Sequence, residues 1–216
     1  MTILALSVTP PTLTDTKIKK GYAFDPAQSE FIDTADINAL DGATALTVMA
    51  WIYSPTWSAD KTIVSKWDYA TQGNFGFQTM SGYPNKLSLF IATSLGDTGI
   101  GCRVDGINND LINGQWNRVA FVFDGTKTGN GNRLKMYVNG SPIAETMGAG
   151  NVPAALTSGG TATLKIGKFG GSITRYFLGT MDDVRVITRA FSDTEMTTDY
   201  ANQNNPATFW TTGAQE

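Results

Sequence analysis

Without a single histidine, this 216-residue chain must do any chemistry with carboxylates, one thiol, hydroxyls and aromatic rings. That absence removes Ser-His-Asp and Cys-His nucleophilic machinery, histidine-ligated zinc and imidazole acid–base work in one step. Cys102 is the sole cysteine, so it forms no intramolecular disulfide. With no imidazole to activate it, it reads as a small, semi-buried apolar side chain. The carboxylate with a physical task is Asp182. In the run Asp182–Ile187, strand alternation puts Asp182, Val184 and Val186 on one side and Asp183, Arg185 and Ile187 on the other. An ionised group facing a core is costly unless it binds a cation or accepts several hydrogen bonds. A second kind of chemistry, sugar recognition, needs exposed aromatic faces beside amides or carboxylates. Trp57, Trp67, Tyr69, Tyr83 and Tyr176 fall in or next to expected loops, with Asp68 and Asn109 as polar companions. Taken singly, each aromatic has loop anchoring as its plainer role; as a group they make a ligand surface.

The elements that must position these residues are strands. Charged residues are sparse and glycine is plentiful, which suits short strands joined by tight turns. Leu46–Tyr53 is apolar on both faces and reads as a central strand covered on both sides. Trp116–Asp124 places Val119, Phe121 and Phe123 on the core face, with Leu134, Met136 and Val138 beside them on the next strand. Asn139-Gly140 marks a tight hairpin. Gly21–Thr34 reads as two short strands about a turn at Asp25-Pro26, and Lys86–Thr93 pairs with Asn74–Thr79 across Gly82–Asn85. After the last strand, Ser192 is a helix N-cap with Glu195 completing a capping box before Met196 and Tyr200. About a dozen strands and one helix predict an all-β fold: a two-sheet antiparallel jelly-roll sandwich with one short helix near the C-terminus. Residues 1–20 form an N-terminal arm or edge strand, broken by Pro10-Pro11. Residues 21–203 form the domain, and 204–216 a tail whose Phe209 and Trp210 suggest docking on a surface.

Three segments carry a family resemblance. The pattern from Gly179 to Glu195, with its Asp-Asp-Val-Arg-Val core and Arg-Ala-Phe-Ser-x-x-Glu close, resembles the final motif of laminin-G-like domains in the concanavalin-A-like jelly-roll superfamily. Trp116–Gly125 with Leu134–Gly140 is similar to that family's central hairpin, and Leu46–Tyr53 to its early buried strand. The resemblance implies a structural calcium ion held by Asp182 with backbone carbonyls of the opening segment, where Asp25 is a further candidate. A hydrogen-bonded acid is the alternative. It also implies a second, ligand-linked calcium at the loop rim, for which Asp68, Asp97, Asn108, Asn109 and Asp110 are candidates; solvated turn residues are the plainer reading. Laminarinase-type glycoside hydrolases share the superfamily, and in them the paired carboxylates sit on alternate positions of one strand. Here the glutamates are Glu30, Glu145, Glu195 and Glu216, none with such a companion, so no catalytic residues and no enzyme are expected.

Net charge is −3 with no block of like charges, which excludes the basic footprint nucleic acid requires. No segment approaches a membrane span, and Met1–Pro11 lacks a basic n-region and a long enough apolar run for a secretory signal. The resulting expectation is a non-catalytic interaction module. It is a phage surface or decoration protein, attached to other subunits through its terminal arms, possessing glycan-binding capacity and available edge strands for homo-oligomerisation. The alternative is a carbohydrate- or protein-binding lectin-like module from a secreted multidomain protein, hence extracellular.

Overall fold

The protein is described from a computed structural model, in which residues 10–68, 72–94, 101–158, 160–171 and 173–206 are described below. Among the described residues, fourteen strands and two α-helices follow one another along the chain. The first seven strands are β1 (Thr12–Asp15), β2 (Lys20–Phe24), β3 (Ile32–Asp33), β4 (Ala45–Tyr53), β5 (Thr62–Asp68), β6 (Gln72–Met80) and β7 (Tyr83–Ile91). Then come β8 (Cys102–Gly106), β9 (Trp116–Asp124), the single turn α1 (Asn130–Arg133) and β10 (Leu134–Val138). The chain closes with β11 (Ser141–Pro142), β12 (Glu145–Ala149), β13 (Leu164–Ile166), β14 (Gly179–Ile187) and α2 (Asp193–Asn204). They form two antiparallel sheets of seven strands: β1-β2-β14-β4-β9-β10-β11 (sheet A) and β12-β8-β7-β6-β5-β13-β3 (sheet B).

The apolar alternation builds the core as expected. Leu46, Val48, Ala50 and Ile52 of β4 and Val119, Phe121 and Phe123 of β9 face sheet B across the sandwich. There, Phe121 meets Phe75 and Phe77 edge-on, at centroid distances of 5.3 and 5.4 Å. Asn139 and Gly140 both take the left-handed conformation (φ 52° and 78°) that a two-residue hairpin demands, and β10 turns into β11 there. The expected hairpin across Asp25-Pro26 does not form. β2 joins sheet A and β3 joins sheet B, because a 3-10 turn at Pro26–Gln28 carries the chain across the sandwich edge.

The outer face of sheet A carries α2. Its start is the predicted capping box: the Ser192 hydroxyl accepts from the Glu195 amide at 3.2 Å and the Glu195 carboxylate accepts from the Ser192 amide at 2.8 Å. Met196 seats against Met49, Ala120, Val122 and Tyr137, a small second core outside the sheet. Polar groups complete the clamp. Buried Arg118 donates to the Asp183 carbonyl at 3.1 Å and to the Asp199 carboxylate at 3.0 Å. Arg185 bridges the same two aspartates, at 2.9 Å each. Gln203 then joins Asp183 to the indole N–H of Trp51, which donates to its Oε1 at 2.5 Å.

That clamp depends on an irregularity which simple alternation does not foresee. β14 bulges between Asp182 and Arg185, with Asp183 in the left-handed region at φ 47°. Asp182 lies opposite Trp51 and faces outward, whereas Val184 and Val186 pack on the main core. The expectation that Asp182 shares a face with the two valines is therefore corrected, and the bulge is the reason.

Candidate functional site

Among the described residues, no helix covers the outer face of sheet B. Strand alternation sends Leu87, Leu89 and Ile91 of β7 inward and Ser88 and Phe90 outward; on β8 it sends Cys102 and Val104 inward and Arg103 and Asp105 outward. The register aligns Ser88 with Asp105, Phe90 with Arg103, and Gln78 of β6 with Ser88. The Ser88 hydroxyl donates to Asp105 Oδ1 at 2.6 Å, and Arg103 Nε meets Asp105 Oδ2 at 2.9 Å. Opposite this pair stands Gly148, where a Cβ would lie 2.3 Å from Arg103 and 2.5 Å from Asp105. Only a residue without a side chain leaves the ion pair its place.

A loop before β14 borders the same face. Its Phe169 lies over Gly76, where an added Cβ would sit 2.4 Å from the ring, and packs on Trp67 and Phe90. Arg175 follows, donating to Gln78 Oε1 at 2.9 Å, with Asp60 at 3.4 Å. Its guanidinium stands 5.9 Å from the Phe90 centroid and 5.5 Å from that of Phe169, within cation–π range. To solvent this face offers the part-exposed guanidiniums of Arg103 and Arg175, the Asp60 carboxylate and the half-buried ring of Phe90, while Gln78, Ser88 and Asp105 are at most 2% exposed and support them from beneath. Its charges are balanced, and its planar donors and acceptors are held by mutual bonds. Such a surface suits a neutral, hydroxyl-rich ligand with an apolar side better than a phosphate or a lipid.

The aromatic residues singled out from the sequence do not converge here. Trp57 and Trp67 are only 4% and 1% exposed, and as ligand platforms they are corrected: both are anchors. Trp57 donates its indole N–H to the Ile112 carbonyl, fixing the loop before β9, and Trp67 packs under Phe169. Trp57 lies in the loop after β4 and Trp67 within β5, and both rings fill what would otherwise be voids. Tyr83 is exposed with Lys86 over its ring, and Asn109 is exposed in the loop before β9. Tyr176 is half-buried against Phe31. Asp68 ends β5, at the opposite end of sheet B from Tyr83. Tyr69 and Asp97 lie outside the described residues, as do Phe209 and Trp210. Phe90, Arg103, Asp105 and Arg175 were missed. A signal existed for three of them, since KLSLFIAT and GCRVD alternate so as to put Phe90, Arg103 and Asp105 on non-core faces.

Asp182 was tested against calcium by the company it keeps. Its Oδ2 accepts from the Thr16 hydroxyl and from the Ile18 amide, both at 2.7 Å. Both donors engage the same carboxylate oxygen. Asp25 Oδ1 likewise accepts from the Ala27 amide and caps the turn at Pro26. Among the described residues no three Asp, Glu, Cys or His side chains gather as a metal group. Through its two bonds to Thr16 and Ile18, Asp182 staples the β1–β2 turn to β14.

The described glutamates all serve the backbone. Glu30 accepts from the Asp25 amide, Glu195 closes the capping box, and Glu145 of β12 accepts from the Met136 amide of β10, bridging the two sheets. Burial pushes the Glu145 carboxyl up to about 7, against a smaller downward pull from the Met136 amide and Lys135. The Ser192 amide and Arg189 hold Glu195 down, near 2.

A family model described as the concanavalin A-like lectin/glucanases superfamily matches residues 26–197. No curated protein matches the chain in sequence. Solved structures do match in fold. Domain 4 of an extracellular GH43 arabinanase from Geobacillus stearothermophilus, in complex with arabinotriose, superposes with TM-score 0.60 at 21% identity, covering 88% of this chain and 81% of that one. A putative carbohydrate binding protein from Bacteroides ovatus gives 0.62 at 18% identity, over 84% of this chain and 47% of that one. The binding domain of Paraclostridial Mosquitocidal Protein 1 gives 0.64 at 12%, over 94% and 48%. The chain spans about half the length of these last two.

Proposed function

The chain belongs to the concanavalin A-like lectin/glucanase superfamily, and on that footing we propose that it is a non-catalytic, lectin-like carbohydrate-binding module. The observation that carries the reading is the outer face of sheet B, where the half-buried ring of Phe90 lies beside the part-exposed guanidiniums of Arg103 and Arg175, which buried Asp105 and Gln78 hold from beneath. Planar side chains already held in place lose little rotamer freedom when they bond sugar hydroxyls, and a phenyl ring offers a surface to sugar C–H groups. Two fold relatives support the class by their own ligands or descriptions: the arabinanase domain holds arabinotriose, and the Bacteroides ovatus protein is a putative carbohydrate binding protein. The test is a glycan array followed by calorimetry on the strongest hit, with Phe90→Ala and Arg103→Ala. Binding that both substitutions weaken about tenfold or more supports the face. Binding that ignores both moves the site elsewhere, and no binding to any glycan sinks the class.

The narrower reading, a protein of a phage particle surface, is supported by a different observation. Among the described residues sheet A ends in β1, with Leu13 exposed, and a bare edge of that kind can pair with a strand of another subunit. Co-sedimentation with purified particles tests it, and a protein found only free in the lysate refutes it.

A further inference from the structure

On the β14 side the sandwich is not zipped shut. β14 pairs with β4 from Thr180 to Ile187 along one edge, but along the other β2 covers only Gly179 to Met181. Among the described residues no strand covers that second edge from Val184 to Ile187. Alternate backbone N–H and C=O groups therefore point outward there. Beneath the edge runs a cleft of about 650 Å³, walled by Val184 and Val186 on one side and by Ile37, Leu40, Leu164 and Ile166 on the other. A second hollow of about 190 Å³ shares Val184 and Ile166 with it and extends it to Phe24 and Met181. Apolar walls below an open strand edge are what an added strand needs, since the edge supplies main-chain bonds and the walls take alternate side chains.

We propose that this groove receives Ile3–Val8 from a second copy of the chain, as a strand added to β14. Residues 1–9 read MTILALSVT, with Leu4, Leu6 and Val8 on one face and no charge among them. Six extended residues reach about 20 Å, more than enough to run along the roughly 13 Å of the uncovered part of β14. Pro10 and Pro11 lack N–H groups and stop the segment from continuing β1's ladder. The chain's own geometry argues against self-insertion. β1 begins at Thr12, opposite Ala23, which itself lies opposite Thr180. That is the end of β14 away from the groove, and the β1–β2 turn, bonded to Asp182, stands between them. Nine residues extend about 30 Å. Running back along the hairpin would use most of that length, leaving too few residues to set Leu4, Leu6 and Val8 in the cleft. A neighbouring copy has no such detour.

The test uses light scattering across a concentration series on the full chain, a chain lacking residues 1–9, the groove variant Val186→Lys, and the segment variant Leu4→Lys/Leu6→Lys. A labelled peptide of residues 2–9 is titrated into the shortened chain. The full chain is expected to self-associate, and each variant to raise the association midpoint by about tenfold or more with unchanged circular dichroism. The peptide is expected to bind the shortened chain and to lose that binding when Val186→Lys is added. A full chain that stays monomeric overturns the proposal, including the case where the peptide still binds, which would mean the segment folds back on its own chain. Association that survives both Val186→Lys and the segment variant overturns it as well.

Discussion

Replacing Glu145 by glutamine should make the protein more stable at pH 8 and leave it nearly unchanged at pH 5. The carboxyl starts β12, at the edge of sheet B, and accepts from the Met136 amide in sheet A, so it is drawn out of water to bridge the sandwich. Burial raises it from 4.5 to about 7, and the amide and Lys135 only partly oppose that rise. A folded-state value above the unfolded one means the native state holds the proton more tightly. The stabilisation is complete below about 4.5 and is lost as pH rises through 7. At 1.36 kcal/mol per unit the shift corresponds to about 3 kcal/mol. Since the side chain is only half-buried, water reduces this to about 1–3 kcal/mol. Glutamine keeps an oxygen for the Met136 amide and never ionises. Urea unfolding at pH 5, 6, 7 and 8 measures the difference directly, provided the slopes stay equal. The gap between variant and parent should widen by about 1–3 kcal/mol across that range, in the variant's favour. Asp110, also raised by burial, titrates in both proteins and cancels. Parallel curves would show that the carboxyl is solvated and the bridge worthless as a switch.

Three further outcomes follow from the same contacts. Asp182→Ala should cost roughly 2–4 kcal/mol, because it strips two charged hydrogen bonds and strands the Ile18 amide, whereas excess chelator should leave the melting temperature unchanged; a chelator-induced drop that Asp182→Ala abolishes would restore calcium. Arg118→Ala should cost about 3–5 kcal/mol by leaving Asp183 and Asp199 short of a buried partner, and Arg118→Ala/Asp199→Ala should cost less than the sum of the singles; additive losses in a double-mutant cycle would refute the network. Phe121→Ala, which removes the ring meeting both Phe75 and Phe77, should cost about 3–5 kcal/mol by thermal or urea unfolding, and a loss under 1 kcal/mol would mean that the core collapses around the gap.

Local chemistry made much of this molecule legible in advance. The double-sided apolar run of β4, the alternation in β9 and β10, Asn139-Gly140 and the Ser192–Glu195 box each depend on residues a few positions apart, and each forms as read. What escaped was face and partner. Asp182 and the two valines look equivalent by alternation, yet one left-handed residue at Asp183 turns the carboxylate outward to Thr16 and Ile18. Trp57, in the loop after β4, and Trp67, read as a loop residue but placed in β5, promise exposure by position, yet Phe177 and Phe169, over a hundred residues away, pack against them.

The amino-acid sequence by itself determined the class of fold, the order of its strands and the capped helix, and through its missing histidines the chemistry the chain cannot do. Only the tertiary structure decided that β2 and β3 part to different sheets, and that Phe90, Arg103, Asp105 and Arg175 meet on one face. It also decided that β14 keeps an open edge over an apolar groove. The reason is physical. A strand's periodicity is set by its own backbone, but which face meets solvent and which edge stays bare depend on register with strands up to more than a hundred residues away.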